Sequence, residues 1–251
     1  MEINFNGRRV LVTGAGKGIG RCCVKTLVKC GAKVVALSRT QSDLDSLKQE
    51  FSDIETICLD LRDWKKTRDA IEGALPIDLL VNNAALIKPD GPLLNVTEQS
   101  FDEIMNVNVK SVINVTQVVA KNLIDRKIPG SIVNISSIGS IRGFDLKVDS
   151  YIMSKAALDA MTRLGAVQFG PHGIRVNSII AGTTLTRFVL DHVLTATPEI
   201  QTMFDDQLKR TPTGRFADEQ DIVDMIVYLL SDRSKMVNGQ SIPVDGGFTI
   251  A

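Results

Sequence analysis

The run Val10-Leu11-Val12 passes without a break into Thr13-Gly14-Ala15-Gly16-Lys17-Gly18-Ile19-Gly20, and helical spacing follows over about 18–30. A β-branched strand that turns on glycines straight into a helix restricts the rest of the chain severely. Gly14, Gly18 and Gly20 carry the spacing G-x-x-x-G-x-G, and Gly16 lies in the same turn. Glycine tolerates positive φ and lets backbone N–H groups approach a phosphate. The helix start behind the turn adds the positive end of its dipole. A glycine pattern alone is weak; joining a strand to a helix gives it the context of a dinucleotide site.

Six more short apolar runs follow: Val34–Leu37, Thr56–Leu59, Leu79–Val81, Ile132–Ile135, Val176–Ile180 and Ile242–Val244. Each looks like a strand buried on both faces. Helical patterns lie between them at about 41–51, 63–73, 99–125, 151–169 and 218–231. Alternation of this kind predicts an α/β, doubly wound, mostly parallel seven-stranded sheet. No repeat or linker interrupts it, so 1–251 reads as one domain. A long connection at about 183–212 is read as a substrate loop or lid. Within it Phe188, Val189, Val193 and Leu194 suggest an amphipathic helix, and Pro198 a second start.

The 251 residues are 44% hydrophobic and 23% charged, with zero formal net charge, which argues against nucleic acid or anionic membrane as a partner. No apolar stretch approaches the ~18 residues of a membrane span, and Met1 to Arg9 lacks a secretion signal. Cys22, Cys23, Cys30 and Cys58 show no zinc-site spacing and are read as reduced thiols in a cytoplasmic protein, with no metal expected.

The second strand bears on cofactor choice. An acidic residue at its end would favour the ribose hydroxyls of NAD. This strand ends Ser38-Arg39-Thr40, with no acid before Asp43. Arg39, Ser38 and Lys17 offer donors and charge to a 2′-phosphate, so NADPH is expected over NADH. Further along, Tyr151 and Lys155 stand four apart at a predicted helix start and so share one face. An ammonium there is expected to lower the tyrosine pKa from about 10 and make the phenol a usable acid.

In this order, Thr13-Gly14-x-x-x-Gly18-x-Gly20, Asp60-Leu61, Asn82-Asn83-Ala84-Ala85, the Asn108 segment, Asn134-Ile135-Ser136-Ser137, Tyr151-x-x-x-Lys155 and Val244-Asp245-Gly246-Gly247 resemble the short-chain dehydrogenase/reductase family over nearly the whole chain. The resemblance implies a catalytic set of Asn108, Ser137, Tyr151 and Lys155. Ser137 would polarise a substrate carbonyl, Tyr151 supply the proton, Lys155 hold the nicotinamide ribose and Asn108 keep a relay water. It also implies cofactor contacts at Gly14, Gly16, Lys17, Gly18, Ile19, Gly20, Ser38, Arg39, Thr40, Asp60, Leu61, Asn83 and Ala84, with Gly182, Thr184 and Thr186 near the nicotinamide. The stretches 7–10, 38–41 and 231–234 most resemble the branch that reduces L-xylulose and α-dicarbonyls such as diacetyl. Oxoacyl or hydroxysteroid carbonyls are the other enzyme readings, and a non-catalytic NADPH-binding sensor is a third.

Read alone, several of these residues have plainer uses. Asp60 is equally placed to cap the helix before Asp63-Trp64, and Asn82-Asn83 to satisfy backbone at a strand end. Asp245-Gly246-Gly247 reads mainly as a tight turn. The Ser137-to-Tyr151 spacing is one residue longer than the family's; the extra residue is placed in 143–150, with Ser140 and then Ser136 as alternatives to Ser137. Ile138 puts an apolar side chain beside the expected carbonyl and favours less polar substrates. The resemblance further implies a homotetramer formed through about 99–125 and 151–169. There Val112, Val115, Val119, Ala156, Ala157 and Ala160 face either a partner or the sheet.

Overall fold

All seven strands form, and they pair in parallel in the order β3-β2-β1-β4-β5-β6-β7, in a computed structural model that describes residues 3–143, 147–186, 189 and 197–251. The strands are β1 (Arg9–Thr13), β2 (Lys33–Ser38), β3 (Glu55–Cys58), β4 (Leu79–Asn82), β5 (Gly130–Ser137), β6 (Ile174–Ala181) and β7 (Ser241–Val244). The helices are α1 (Gly18–Lys29), α2 (Gln41–Glu50), α3 (Trp64–Gly73), α4 (Glu98–Met105), α5 (Ser111–Arg126), α6 (Asp149–Phe169), α7 (Pro198–Lys209) and α8 (Glu219–Leu230). Of the expected lid helix, Phe188, Val193 and Leu194 lie outside the described residues. Pro198 does start a helix, at the first position after the cap Thr197, whose hydroxyl accepts from Ile200 N.

Strand alternation sends neighbouring side chains to opposite faces, and both faces are covered. Val10, Val12, Val34, Ala36, Leu79 and Val81 pack with Val24 and Leu27 of α1, Leu44 and Leu47 of α2, and Ile222 and Ile226 of α8. Leu11, Val35, Leu37, Leu80 and Ile132 pack with Ile71 of α3 and Val115, Val119 and Leu123 of α5. The two edge strands depart from the expected burial on both faces: Glu55 and Cys58 of β3 are exposed, as is Pro243 of β7, because an edge strand lacks one neighbour.

The predicted continuous helix over 99–125 is instead broken by a π turn at Asn106–Lys110 between α4 and α5. Such turns insert one extra residue and occur often at functional sites. Strand order reverses between β1 and β4, which opens a crevice beyond the strands' carboxyl ends, where open α/β sheets bind ligands.

Candidate active site

The loop after β1 is held by glycines in backbone states other residues resist. Gly14 has φ +65° and Gly18 φ +55°. A Cβ on Gly14 would lie 2.8 Å from Ala84 Cα. Thr13 ties this loop to the end of β4, its hydroxyl accepting from Asn83 N at 3.0 Å and Ala84 N at 3.1 Å. Asn83 Nδ2 donates to the Thr13 and Gly14 carbonyls, both at 3.1 Å. The plainer reading therefore holds for its side chain, which satisfies backbone at the strand ends. Lys17, at the α1 cap position, supplies no side-chain cap, so the first N–H groups of α1 are left without one. Ile19 and Ala84 pack against the two cores, and Leu61 is buried in the second.

At the end of β2, Ser38 is buried beneath the glycine loop, and its hydroxyl accepts from Thr40 N. Arg39 is exposed, while Lys17 stands 3.7 Å from the Asp43 carboxylate. Asp60 does not cap α3; Asp63 does, accepting from Lys66 N at 3.0 Å. The Asp60 carboxylate is gripped instead by the Arg62 guanidinium, with Arg39 also contributing, and its pKa is held below the ordinary carboxylate value. Arg62 has no counterpart in the sequence expectation. On the far side, Thr186 lies against Gly18, where an added Cβ would meet its methyl at 3.4 Å. Thr184 donates to the Gly182 carbonyl at 3.0 Å, and Gly182 must be small because a Cβ there would meet Asp245 Cα at 2.7 Å. Asp245 forms the expected turn, accepting from Gly247 N and Thr249 N, both at 2.9 Å.

Tyr151 lies in the first turn of α6, half-buried, with Lys155 one turn on and almost fully buried. The Lys155 ammonium stands 5.5 Å from the Tyr151 ring centroid and donates to the Ile135 carbonyl at 2.6 Å. Burial pushes its pKa down to about 8, with Asp159 opposing. The expected lowering of the tyrosine pKa does not occur here. Burial pushes Tyr151 up, and only a hydrogen bond with Ser137 opposes it. The Lys155 ammonium directs one donor to the Ile135 carbonyl rather than to the phenol, and desolvation of the phenolate dominates.

Ser137 ends β5 and caps a short 3-10 turn, accepting from Gly139 N at 3.3 Å. Of its two alternatives, Ser136 is buried and donates to the Lys155 carbonyl at 3.3 Å. The Ser140 hydroxyl is buried with no hydrogen-bond partner. Asn108, in the π turn, is buried and accepts from Leu86 N at 2.7 Å. Its amide donates to the Leu86 carbonyl and to the Ser154 hydroxyl, both at 2.9 Å. Ser154 was not anticipated; its signal is the position just before Lys155, on the same buried face.

The profile of the family described as Enoyl-(Acyl carrier protein) reductase matches residues 14–249. L-xylulose reductase of Bos taurus is 48% identical, with 99% of each chain covered. The chain belongs to the short-chain dehydrogenase/reductase family. Another relative in this family, NADPH carbonyl reductase 2 of Sus scrofa, is 46% identical over 99% of each chain. A gluconate 5-dehydrogenase from Burkholderia cenocepacia, solved with NADP and tartrate, superposes with a TM-score of 0.90 at 30% identity, covering 99% of this chain and 97% of that one. Membership makes the chain an oxidoreductase, and the strand-end crevice is where its family fold presents the chemistry.

Proposed function

We propose that this short-chain dehydrogenase/reductase is an NADPH-dependent carbonyl reductase, acting on L-xylulose and on α-dicarbonyls such as diacetyl. The observation that carries the reading is the placement of Tyr151 in the first turn of α6 with the buried Lys155 ammonium 5.5 Å from its ring, at the end of the crevice where Ser137 closes β5. The names of its relatives, L-xylulose reductase and NADPH carbonyl reductase, support the substrate class and the cofactor. The glycine turn fits a dinucleotide, since its positive-φ glycines and the uncapped start of α1 present backbone N–H groups to a pyrophosphate. Gly14 to Gly20 would hold that group, Arg39 and Lys17 the 2′-phosphate, and Thr184 and Thr186 the nicotinamide end. When bound, NADPH supplies the hydride.

The chain's own residues do the rest. Ser137 donates a hydrogen bond to the substrate carbonyl and stabilises negative charge on its oxygen. Tyr151, kept as a neutral phenol by its raised pKa, gives its proton to that oxygen. Lys155 is largely charged at neutral pH and holds the ribose. Both amide protons of Asn108 are used by Leu86 and Ser154, so a relay water would be held by its carbonyl oxygens.

Ser137→Ala is expected to lower kcat by about 10²-fold or more, as loss of an oxyanion donor does. Ser140→Ala is expected to leave kcat near wild type; the reverse ranking in steady-state assays would move the donor to Ser140. Arg39→Ala is expected to raise the NADPH KM about 10- to 100-fold, the worth of a charge-assisted contact, and to leave the NADH KM nearly unchanged. Equal changes for both cofactors would remove Arg39 from the 2′-phosphate site.

The reading extends to a cytoplasmic homotetramer. Among the residues expected at its interfaces, Val112, Val115 and Val119 are buried in the subunit itself, the last two against the sheet. Ile113 of α5 and Met153, Leu164 and Val167 of α6 are the exposed apolar side chains that support an interface there. No helix among the described residues is long and apolar enough to cross a membrane.

A further inference from the structure

Lys155 and Asp159 lie four apart on α6 and are both buried, at 3% and 5% exposure. A buried carboxylate is costly unless it is paired or fully hydrogen-bonded. Asp159 is only half provided for. Its Oδ1 accepts from the Ser178 hydroxyl at 2.8 Å, while Oδ2 is buried without a hydrogen-bond partner. Ser178 lies 2.8 Å from Ser241 Oγ. A hydroxyl has one proton, so with Ser178 giving its own to Asp159, Ser241 must donate to Ser178. The chain Ser241–Ser178–Asp159 thus fixes one carboxylate oxygen from β7 through β6.

The other charges around α6 are turned elsewhere. On α4, Glu98 and Asp102 are exposed, and Glu103 pairs with Lys88 and Arg62. Lys110 of the π turn and His172 are exposed, and Arg175 of β6 donates to the Leu229 and Ser231 carbonyls. β5 carries no charged residue. On α6 itself, Asp149 lies at the N-terminal end and Arg163 is exposed beyond Asp159, leaving Tyr151, whose phenol is neutral.

We infer that Asp159 is a positioning residue, the buried counter-charge that holds Lys155 as an ammonium and is itself anchored by Ser178 and Ser241. Its field opposes the desolvation that drives Lys155 toward the neutral amine. Without it, Lys155 loses its proton at lower pH, and with the proton the charge that the proposed ribose contact uses. The catalytic part of this inference rests on the reductase reading; the charge coupling does not.

The test follows the lysine side-chain resonances of the full-length protein by NMR across pH, with Lys155 assigned by difference from Lys155→Met. In Asp159→Asn the Lys155 midpoint is expected to fall by about one unit, as when an opposite neighbouring charge is removed. Asp159→Ala carries the same expectation if the asparagine variant does not fold. Asp159→Glu is expected to restore most of the shift, and Ser178→Ala, which keeps the carboxylate, to move the midpoint less than Asp159→Asn. A midpoint unchanged in both uncharged variants overturns the inference. In parallel, the alkaline limb of kcat/KM for NADPH-dependent diacetyl reduction is expected to move acidward with the lysine midpoint. A midpoint that falls in Asp159→Asn while the wild-type chain shows no carbonyl turnover sinks the reductase reading alone.

Discussion

Tyr151→Phe is expected to lower kcat about 10³-fold while leaving NADPH affinity within about twofold, the cost of removing a positioned proton donor. The substitution deletes one oxygen and keeps the ring, so packing beneath Lys155, 5.5 Å away, persists. The lost oxygen is the proposed proton donor, and Ser137 alone can polarise a carbonyl but has no acidity to protonate an alkoxide. The Ser136 and Ser154 hydroxyls donate to the Lys155 and Tyr151 carbonyls, and the Ser140 hydroxyl, though without a partner, is an alcohol far less acidic than a phenol and cannot take over. Stopped-flow hydride transfer and NADPH fluorescence titration separate the two quantities. A fall in kcat below about tenfold would take the proton-donor role away from Tyr151.

Gly20→Ala is expected to abolish NADPH binding and to destabilise the fold by about 3 kcal/mol, the upper range for overpacking. The added Cβ would stand 2.1 Å from the Gly14 carbonyl oxygen and 2.6 Å from Asn83 Nδ2. Neither atom can yield cheaply. The Asn83 amide donates to that carbonyl and to that of Thr13, and Thr13 in turn binds the Asn83 and Ala84 backbone. Moving Gly14 therefore opens the junction of β1, β4 and the phosphate turn together. Gly73→Ala, at the end of α3 where the new methyl would meet nothing within 4 Å beyond its own helix backbone and chain neighbours, is the matched control and is expected to be neutral or slightly stabilising. Thermal unfolding and NADPH titration check both; a Gly20→Ala protein that melts and binds like wild type would refute this account of the turn.

The strands were legible because each is short, β-branched and bounded by turns, and the parallel, doubly wound sheet followed from their alternation with helices. What the sequence pattern hid were consequences of position in three dimensions. Edge placement exposes Glu55 and Cys58, although Thr56 to Leu59 reads as a buried run. The π turn at Asn106–Lys110 carries no residue-type signal of its own, yet it sits where Asn108 binds Leu86 and Ser154. The candidate site residues were named by their motifs, but their partners were not legible. Asp60 carries no mark of being held by Arg62, nor Asn83 of being spent on backbone. Motif spacing likewise suggested that Lys155 would acidify Tyr151. Spacing does not report that the ammonium reaches the Ile135 carbonyl, nor that burial then governs the phenol. Asp159 went unremarked because a single acid in a helix looks like surface until Ser178 and Ser241 are seen beneath it.

The most direct test of the central claim is the initial rate of NADPH oxidation by the wild-type chain with L-xylulose and with diacetyl, each repeated with NADH. The account predicts turnover of both carbonyls with NADPH, at a kcat/KM well above that with NADH, and an alkaline limb near pH 8 where Lys155 loses its proton. Tight NADPH binding without oxidation by either carbonyl, or a preference for NADH, would contradict it.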